Sequence, residues 1–317
     1  MSNYHQKKIA MINDLSGYGR CSLTVALPIL SAMRIQCCPV PTSILSNHTG
    51  FPVWFFDDYT DKMEQYIDKW KELDLTFDGI VTGFLGSKEQ IHIVTDMIKD
   101  FRRKDTQVIV DPIMGDHGKA YSTYTPEMCR EMERLVRLAD VVTPNVTEGC
   151  ILTGREYRSQ GWSRRELEQM ALDIQKMGPS SVIITGIGTP KSLTNVILKS
   201  AAASKDAFFA SASEGQTSSS FGSSVCSFQR STRAGGDRPG TGDVFSSIIA
   251  GGVIQGWDLE ETVKLAAWFI RRCIIKSDEL DIPRANGVCF EEILPELILK
   301  CRKKYLREKP QKRSFLS

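Results

Sequence analysis

Gly240-Thr241-Gly242-Asp243 stands between Arg238-Pro239 and the apolar run 244–250. A glycine turn here opens a helix and puts a carboxylate in its first turn. Glycine lets the backbone come close to a ligand. The first amides of a helix lack internal partners and carry the positive end of the dipole. Such a place binds phosphate. An aspartate in the same turn can take a proton from an alcohol while the amides hold a transferring phosphoryl group. The pair points to phosphoryl transfer onto a small hydroxyl compound. A glycine turn alone would serve equally well as a plain helix start, so the weight rests on the motifs elsewhere.

Asp111-Pro112-Ile113-Met114-Gly115-Asp116 sets two carboxylates at a strand exit. One could hold Mg²⁺, directly or through water, against phosphate oxygens; both could instead cap turn amides. In Thr143-Pro144-Asn145-Val146-Thr147-Glu148, Asn145 and Glu148 can face a ligand crevice together. The same spacing suits a helix cap and its third-position acid. Asn13-Asp14-Leu15-Ser16-Gly17-Tyr18-Gly19 and Ser46-Asn47-His48-Thr49-Gly50 are polar loops able to touch a small molecule or to make ordinary turns. His48 could bond or stack on a heteroaromatic ring, or tie a loop.

These motifs need a frame. Short apolar runs at 8–12, 35–40, 79–82, 107–111, 140–143 and 182–185 read as strands. Amphipathic runs at 22–33, 58–73, 88–101, 126–138, 163–177, 242–255 and 259–276 read as helices. Ser163 and Glu166 form a capping-box signature. Strand–helix alternation implies a parallel sheet covered on both faces. In such sheets the ligand sits beyond the C-terminal strand ends, which is where the polar motifs fall. One stretch breaks the pattern: from 200 to 224, Ala and Ser make up 15 of 25 residues. Such a segment is expected to be loop or disorder, with only Ala207-Phe208-Phe209 strand-like.

Composition sets outer limits. The chain has 317 residues, 41% hydrophobic and 25% charged, with net charge +2. That suits a soluble globular protein and argues against a nucleic-acid partner. No apolar run nears the about 18 residues of a membrane span. Nine cysteines without a CxxC pair and four scattered histidines argue for reduced thiols, a cytoplasmic location and no zinc site. The basic end, from Lys300 to Arg313, reads as a solvated last helix and tail.

The motifs occur in an order found in a known family. Ser-Asn-His-Thr-Gly (46–50), Thr-Gly-Phe (82–84), Asp-Pro-Ile-Met-Gly-Asp (111–116), Thr-Pro-Asn-x-x-Glu (143–148), Val-Ile-Ile-Thr-Gly (182–186) and Gly-Thr-Gly-Asp (240–243) follow one another. The chain resembles the pyridoxal/pyridoxamine kinases of the ribokinase-like superfamily over 7–199 and 234–290. The resemblance implies an α/β fold of three layers, with helices on both faces of a mostly parallel sheet. It implies one kinase domain over 1–300 and a basic tail over 301–317. It implies ATP-dependent phosphorylation of the 5′-hydroxymethyl group of a B6 vitamer, with Mg²⁺, with K⁺ in some members, and a homodimer.

By matching position, Asp243 would be the base, and Gly240, Thr241 and Gly242 the anion hole. Asp111 and Glu148 would lie at Mg²⁺, and Asp116, Glu148, Asn145 and Thr185 at ATP. Asp14, Ser16, Asn47, His48, Thr49 and Phe84 would line the vitamer pocket. The Ala/Ser-rich stretch departs from the family, whose members carry there the strands and loop that close over ATP.

A sister class phosphorylates hydroxymethylpyrimidine. Asp14-Leu15-Ser16-Gly17 looks like that class, whereas Asp243 and Gly115-Asp116 look like the pyridoxal class. A dual activity stays open beside both. So does a kinase-like protein that binds a vitamer without turnover, although a pure binder has no need of the Asp243 base.

Overall fold

The computed structural model describes residues 5–121, 123–189, 191–200 and 224–308. In chain order the strands are β1 (Lys8–Tyr18), β2 (Gln36–Asn47), β3 (Phe56–Asp58), β4 (Gly79–Thr82), β5 (Gln107–Val110), β6 (Gly115–Asp116), β7 (Lys119–Ala120), β8 (Val141–Val142), β9 (Ser181–Gly188), β10 (Ser192–Ser200) and β11 (Ser224–Thr232). The helices are α1 (Ser22–Ala32), α2 (Thr60–Glu72), α3 (Lys88–Phe101), α4 (Pro126–Leu138), α5 (Val146–Thr153), α6 (Arg164–Gln175), α7 (Thr241–Gln255), α8 (Leu259–Glu279) and α9 (Leu294–Glu308).

Nine strands form one sheet in the order β11-β10-β9-β8-β5-β4-β1-β2-β3. Its six central strands, β9 to β2 in that order, run parallel. The antiparallel pairings are at the edges, where β10 joins β9 and β11, and β3 joins β2. β6 and β7 make a separate small hairpin.

The strand side chains alternate between two cores. Ala10, Ile12, Ile80, Val108, Val110, Val142 and Val182 face one way and pack against residues of α2 to α6. Ile9, Met11, Val81, Ile109, Val141 and Ile183 face the other way and meet residues of α1 and α7 to α9. This is the expected three-layer α/β/α architecture. Each buried Ile or Val in these faces contributes about 1.5–3 kcal/mol, which fixes strand register: a slip of one residue would turn one core outward.

Chain order reverses direction across the sheet at β1, with β2 on one side and β4 on the other. At such a switch point the connections diverge and leave a crevice. β1 does not stop at Ile12. It continues to Tyr18 with a register shift between Asn13 and Leu15, so Asn13 and Asp14 lie within the strand rather than after it. β2 likewise runs past Val40 through Pro41. Pro is tolerated where a strand lacks an outer neighbour; β3 pairs only with Ser43, Ile44 and Leu45, and the Pro39 carbonyl instead accepts the Tyr66 hydroxyl.

The expected capping box of Ser163 and Glu166 is present at α6. Of the Ala/Ser-rich stretch, Ser200 ends β10 and Ser224 begins β11; 201–223 lie outside the described residues. The last helix keeps Cys301 buried and lays Lys300 over Trp268 and Lys304 over Trp257. Among the described residues all cysteines are free thiols, and no helix is long and apolar enough to cross a membrane.

Ile109 is fully buried in β5. Ile109→Ala should lower unfolding free energy by about 2–5 kcal/mol, read from the urea midpoint at unchanged slope. A loss under about 0.5 kcal/mol would contradict this packing.

Candidate active site

A cleft of about 1270 Å³ opens along the C-terminal ends of the parallel strands. That exceeds the usual volume for one small ligand and leaves room for two. At its centre is the start of α7. Gly240 caps the helix with φ 81°, where a side chain would collide with the Arg20 carbonyl oxygen. Only glycine fits there. An added Cβ on Gly242 would meet nothing within 4 Å, so its backbone faces open cleft. The first-turn amides of Thr241 and Gly242 border the cleft with their residues, as an anion cradle requires.

Asp243, in the same turn, lies near two groups from outside the helix that favour its charged form: the backbone N–H of Ser22 and the side chain of Asn13. The Ser22 amide reaches it because the loop before α1 is contorted. Gly19, Arg20 and Ser22 all have positive φ, 111°, 51° and 54°. Left-handed backbone in a non-glycine residue is unfavourable and persists where surrounding structure enforces it. Burial pushes the Asp243 carboxyl up to about 6; the charge of Asp14 adds to the rise, and the Ser22 and Asn13 bonds oppose it.

Asn13 is 1% exposed. Its Oδ1 accepts the backbone N–H of Asp14 (3.0 Å) and of Phe84 (2.8 Å), which leaves the amide nitrogen to face Asp243. Gly83 has no room for a Cβ because the Asn13 carboxamide occupies that space. The side chain therefore spans the switch point, from β1 and the end of β4 toward Asp243. Asp14, 6% exposed, accepts the Ser16 hydroxyl at 2.8 Å, and burial raises its carboxyl above the ordinary value.

On the far side of the cleft, Asn145 and Glu148 make the capping box of α5. Glu148 is 3% exposed. Its Oε1 accepts the Met114 N–H (3.1 Å) and its Oε2 the Asn145 N–H (2.8 Å). The Asn145 amide donates to the Gly115 carbonyl at 2.8 Å. The pair thereby holds the 111–116 segment at the cleft wall. Burial raises Asp111 and Glu148 well above the ordinary carboxyl range; the Asp243 charge adds at Asp111, and the Asp111 charge adds at Glu148. Asp116 is exposed and accepts the His117 N–H at 2.7 Å. Thr185 joins the wall through a bridge to Asn145.

Asp14, Ser16, His48, Thr49, Phe84, Asp111, Asp116, Asn145, Glu148, Thr185 and all of 240–243 line one cleft. Asn47 is not among its lining residues. Its amide donates to the Val53 carbonyl (2.8 Å) and its Oδ1 accepts the Ser46 hydroxyl (2.7 Å), which shapes the turn after β2. His48 lines the cleft with both ring nitrogens engaged: Nδ1 accepts the Gly50 N–H, so Nε2 donates to the Ala285 carbonyl. Only its ring face is left for a ligand.

Sequence reading singled out the motif containing Asn13 but assigned that side chain no role, and passed over Ser22, Cys21, Trp54 and Phe56, which also border the cleft. Asn13 has a visible signal, its place beside Asp14 at a strand exit. Ser22 has none, because it acts through a backbone amide aimed by an unusual φ.

The described residues contain no cluster of three metal-ligating side chains. Mg²⁺ commonly takes only one or two carboxylates plus water and substrate phosphates. The mutual repulsion of Asp111, Glu148 and Asp243 fits such a cation. Asp111 is the better ligand, since both Glu148 oxygens already take backbone donors.

A family profile described as phosphomethylpyrimidine kinase matches residues 30–288. Human pyridoxal kinase is 28% identical over 168 residues, 51% of this chain and 53% of that protein. The chain thus spans about half the length of the curated relatives it matches. A Bacteroides thetaiotaomicron protein provisionally assigned as a phosphomethylpyrimidine kinase superposes with a TM-score of 0.83 at 36% identity, over 94% of this chain and 96% of that one. Its orthorhombic form with pyridoxal gives 0.80, also at 36% identity, over 92% and 96%. Pyridoxal kinase from Leishmania donovani, in complex with ADP and ginkgotoxin, shares the fold at 19% identity and a TM-score of 0.78, over 92% and 95%.

The two glycines separate structure from ligand space. Gly240→Ala should lower the melting temperature by several degrees, since a side chain there costs about 1–3 kcal/mol. Gly242→Ala should melt within a degree or two of the parent. Equal losses in scanning calorimetry would mean that Gly242 is packed rather than facing the cleft.

Proposed function

The chain belongs to the phosphomethylpyrimidine kinase family, and on that premise we propose that it is an ATP-dependent kinase of the 5′-hydroxymethyl group of B6 vitamers. The observation that carries this reading is Asp243: a carboxylate in the first turn of α7, beside an open glycine cradle and tethered by Asn13 and the Ser22 amide. The relatives support the choice of substrates. Human pyridoxal kinase gives the reaction, the Bacteroides protein was crystallised with pyridoxal, and the Leishmania enzyme with ADP.

In this reading the Asp243 carboxylate accepts the proton of the substrate hydroxyl. The alkoxide oxygen forms a bond to the γ-phosphorus, the bond from that phosphorus to the β–γ bridging oxygen breaks, and the electron pair leaves with ADP. The amides of 240–242 hold the γ-phosphoryl oxygens, so catalysis rests on positioning and charge stabilisation. Asp111 would hold Mg²⁺, directly or through water, and the cation would supply charge neutralisation at the phosphates. Glu148 and Asn145 act behind it by fixing the 111–116 wall. Asp14, Ser16, Phe84 and the His48 ring face border the vitamer, and Asp116 and Thr185 the nucleotide. The homodimer of the same reading has support in the exposed Val53, Trp54 and Phe55 beside β3, an apolar strip that a second copy would cover. Pyrimidine phosphorylation is the second reading, favoured by the family profile itself.

Asp243→Asn should cut kcat by about 10² or more, as for loss of a general base, with vitamer affinity nearly unchanged. Undiminished turnover would remove Asp243 from the mechanism. A base must be ionised to act, so kcat/KM of the parent should fall as pH drops through about 6, the value to which burial lifts Asp243. An acid limb near 4 would place the base elsewhere.

A further inference from the structure

We propose that Asp14 selects substrates with a hydrogen-bond-donating nitrogen in the substituent on the ring atom next to the carbon that carries the reacting hydroxymethyl group. The inference rests on the kinase reading and deepens it, because it ranks the acceptors.

The argument starts from an uncompensated charge. Asp14 is 6% exposed. Buried carboxylates are normally paired with a cation, yet among the described residues Asp14 makes no ion pair. Its neighbours are the Ser16 and Ser22 hydroxyls, a thiol, another acid and the His48 ring: it accepts the Ser16 hydroxyl, its charge acts on Cys21 and on Asp243, and the His48 ring beside it has both nitrogens taken by backbone groups. Burial lifts its carboxyl, and the Ser22 and Ser16 hydroxyls and the His48 ring offset that rise only in part.

Asp14 also lines the cleft beside the base. It sits at the irregular step of β1, and the Asn13 side chain that contacts Asp243 also takes the Asp14 amide. A hydroxymethyl group delivered to Asp243 therefore brings its adjacent ring substituent to Asp14. In pyridoxamine that substituent carries an ammonium, and in aminohydroxymethylpyrimidine an amino group. Both donate hydrogen bonds to a carboxylate, and the ammonium adds charge. Pyridoxal presents a carbonyl, so two acceptors would oppose one another. Pyridoxine presents a hydroxyl, a neutral donor. Sites built to hydrogen-bond a substrate group reject analogues that leave the buried partner unmatched.

The test is a panel of four acceptors, pyridoxamine, pyridoxine, pyridoxal and aminohydroxymethylpyrimidine, each offered with ATP and Mg²⁺ to the parent protein and to Asp14→Asn. Calorimetric binding of each acceptor without nucleotide runs alongside. The expected parent shows kcat/KM at least about tenfold higher for an amine acceptor than for pyridoxal. Asp14→Asn then lowers the ratio of pyridoxamine to pyridoxine by about tenfold or more, mainly through KM. A lead by pyridoxamine alone assigns the selection to charge, and a lead by both amines assigns it to the N–H donor; each supports the proposal.

Pyridoxal leading in the parent, or one common loss for all acceptors in the variant, overturns it and leaves the kinase reading intact. If the variant melts early, the parent ranking decides. If no acceptor is bound or phosphorylated, the kinase reading itself fails and the proposal with it.

Discussion

One carboxamide ties the cleft together. Asn13 sits where the sheet reverses its chain order, with an oxygen that takes amides from β1 and from the end of β4, and its nitrogen turned to Asp243. Two layers of the fold meet there: the strand ends supply one wall of the cleft, and α7 supplies Asp243 and the open glycine turn. Because the carboxamide is buried and its oxygen takes two backbone amides, a lost partner would leave a polar group without water or a substitute. That constraint explains the absence of a side chain at Gly83, whose space the carboxamide fills beside the irregular step in β1.

A second constraint is charge. Asp14, Asp243, Asp111 and Glu148 lie in one chain of repelling neighbours. Apart from Glu148, which caps α5 and takes the Met114 amide, nothing in the fold requires acids in those places. The parallel sheet and its two apolar cores would be as well satisfied by neutral residues. The repulsion is therefore best understood as interaction energy held for ligands: a divalent cation at the phosphates, a proton moving from an alcohol, and a donor group on the acceptor ring. Glu148 differs from the others in being doubly anchored by backbone amides, which makes it the support of the wall rather than its reactive face.

Much of this was legible in the chain itself, for identifiable reasons. β4, α3 and α4 have the bounds that periodicity predicts, because each is a regular apolar pattern closed by a clear cap or breaker. The Gly-Thr-Gly-Asp turn and the Asn145–Glu148 spacing carry their local geometry in their residue types. β1 and β2 proved longer than expected because polar residues and prolines mask their later halves. The helix predicted over 58–73 starts two residues early, since Asp58 ends β3 and accepts the N–H of Thr60 at the head of α2. β10 and β11 form an antiparallel pair flanking the Ala/Ser-rich stretch, and their Thr, Ser and Asn content hides the alternation. Asn47 is expected in the pocket from its match to the family motif, whereas its amide serves the turn. Contacts made by backbone groups, such as the Ser22 amide on Asp243, leave no trace in residue type.

The central claim is that the cleft transfers a phosphoryl group from ATP to a ring hydroxymethyl. Phosphorus NMR of the purified protein with ATP, Mg²⁺ and a B6 vitamer tests it most directly. The account predicts a new phosphomonoester resonance, split by two methylene protons, growing in step with ADP. ATP consumed to inorganic phosphate without that ester, or no consumption with any vitamer or with aminohydroxymethylpyrimidine, would contradict it.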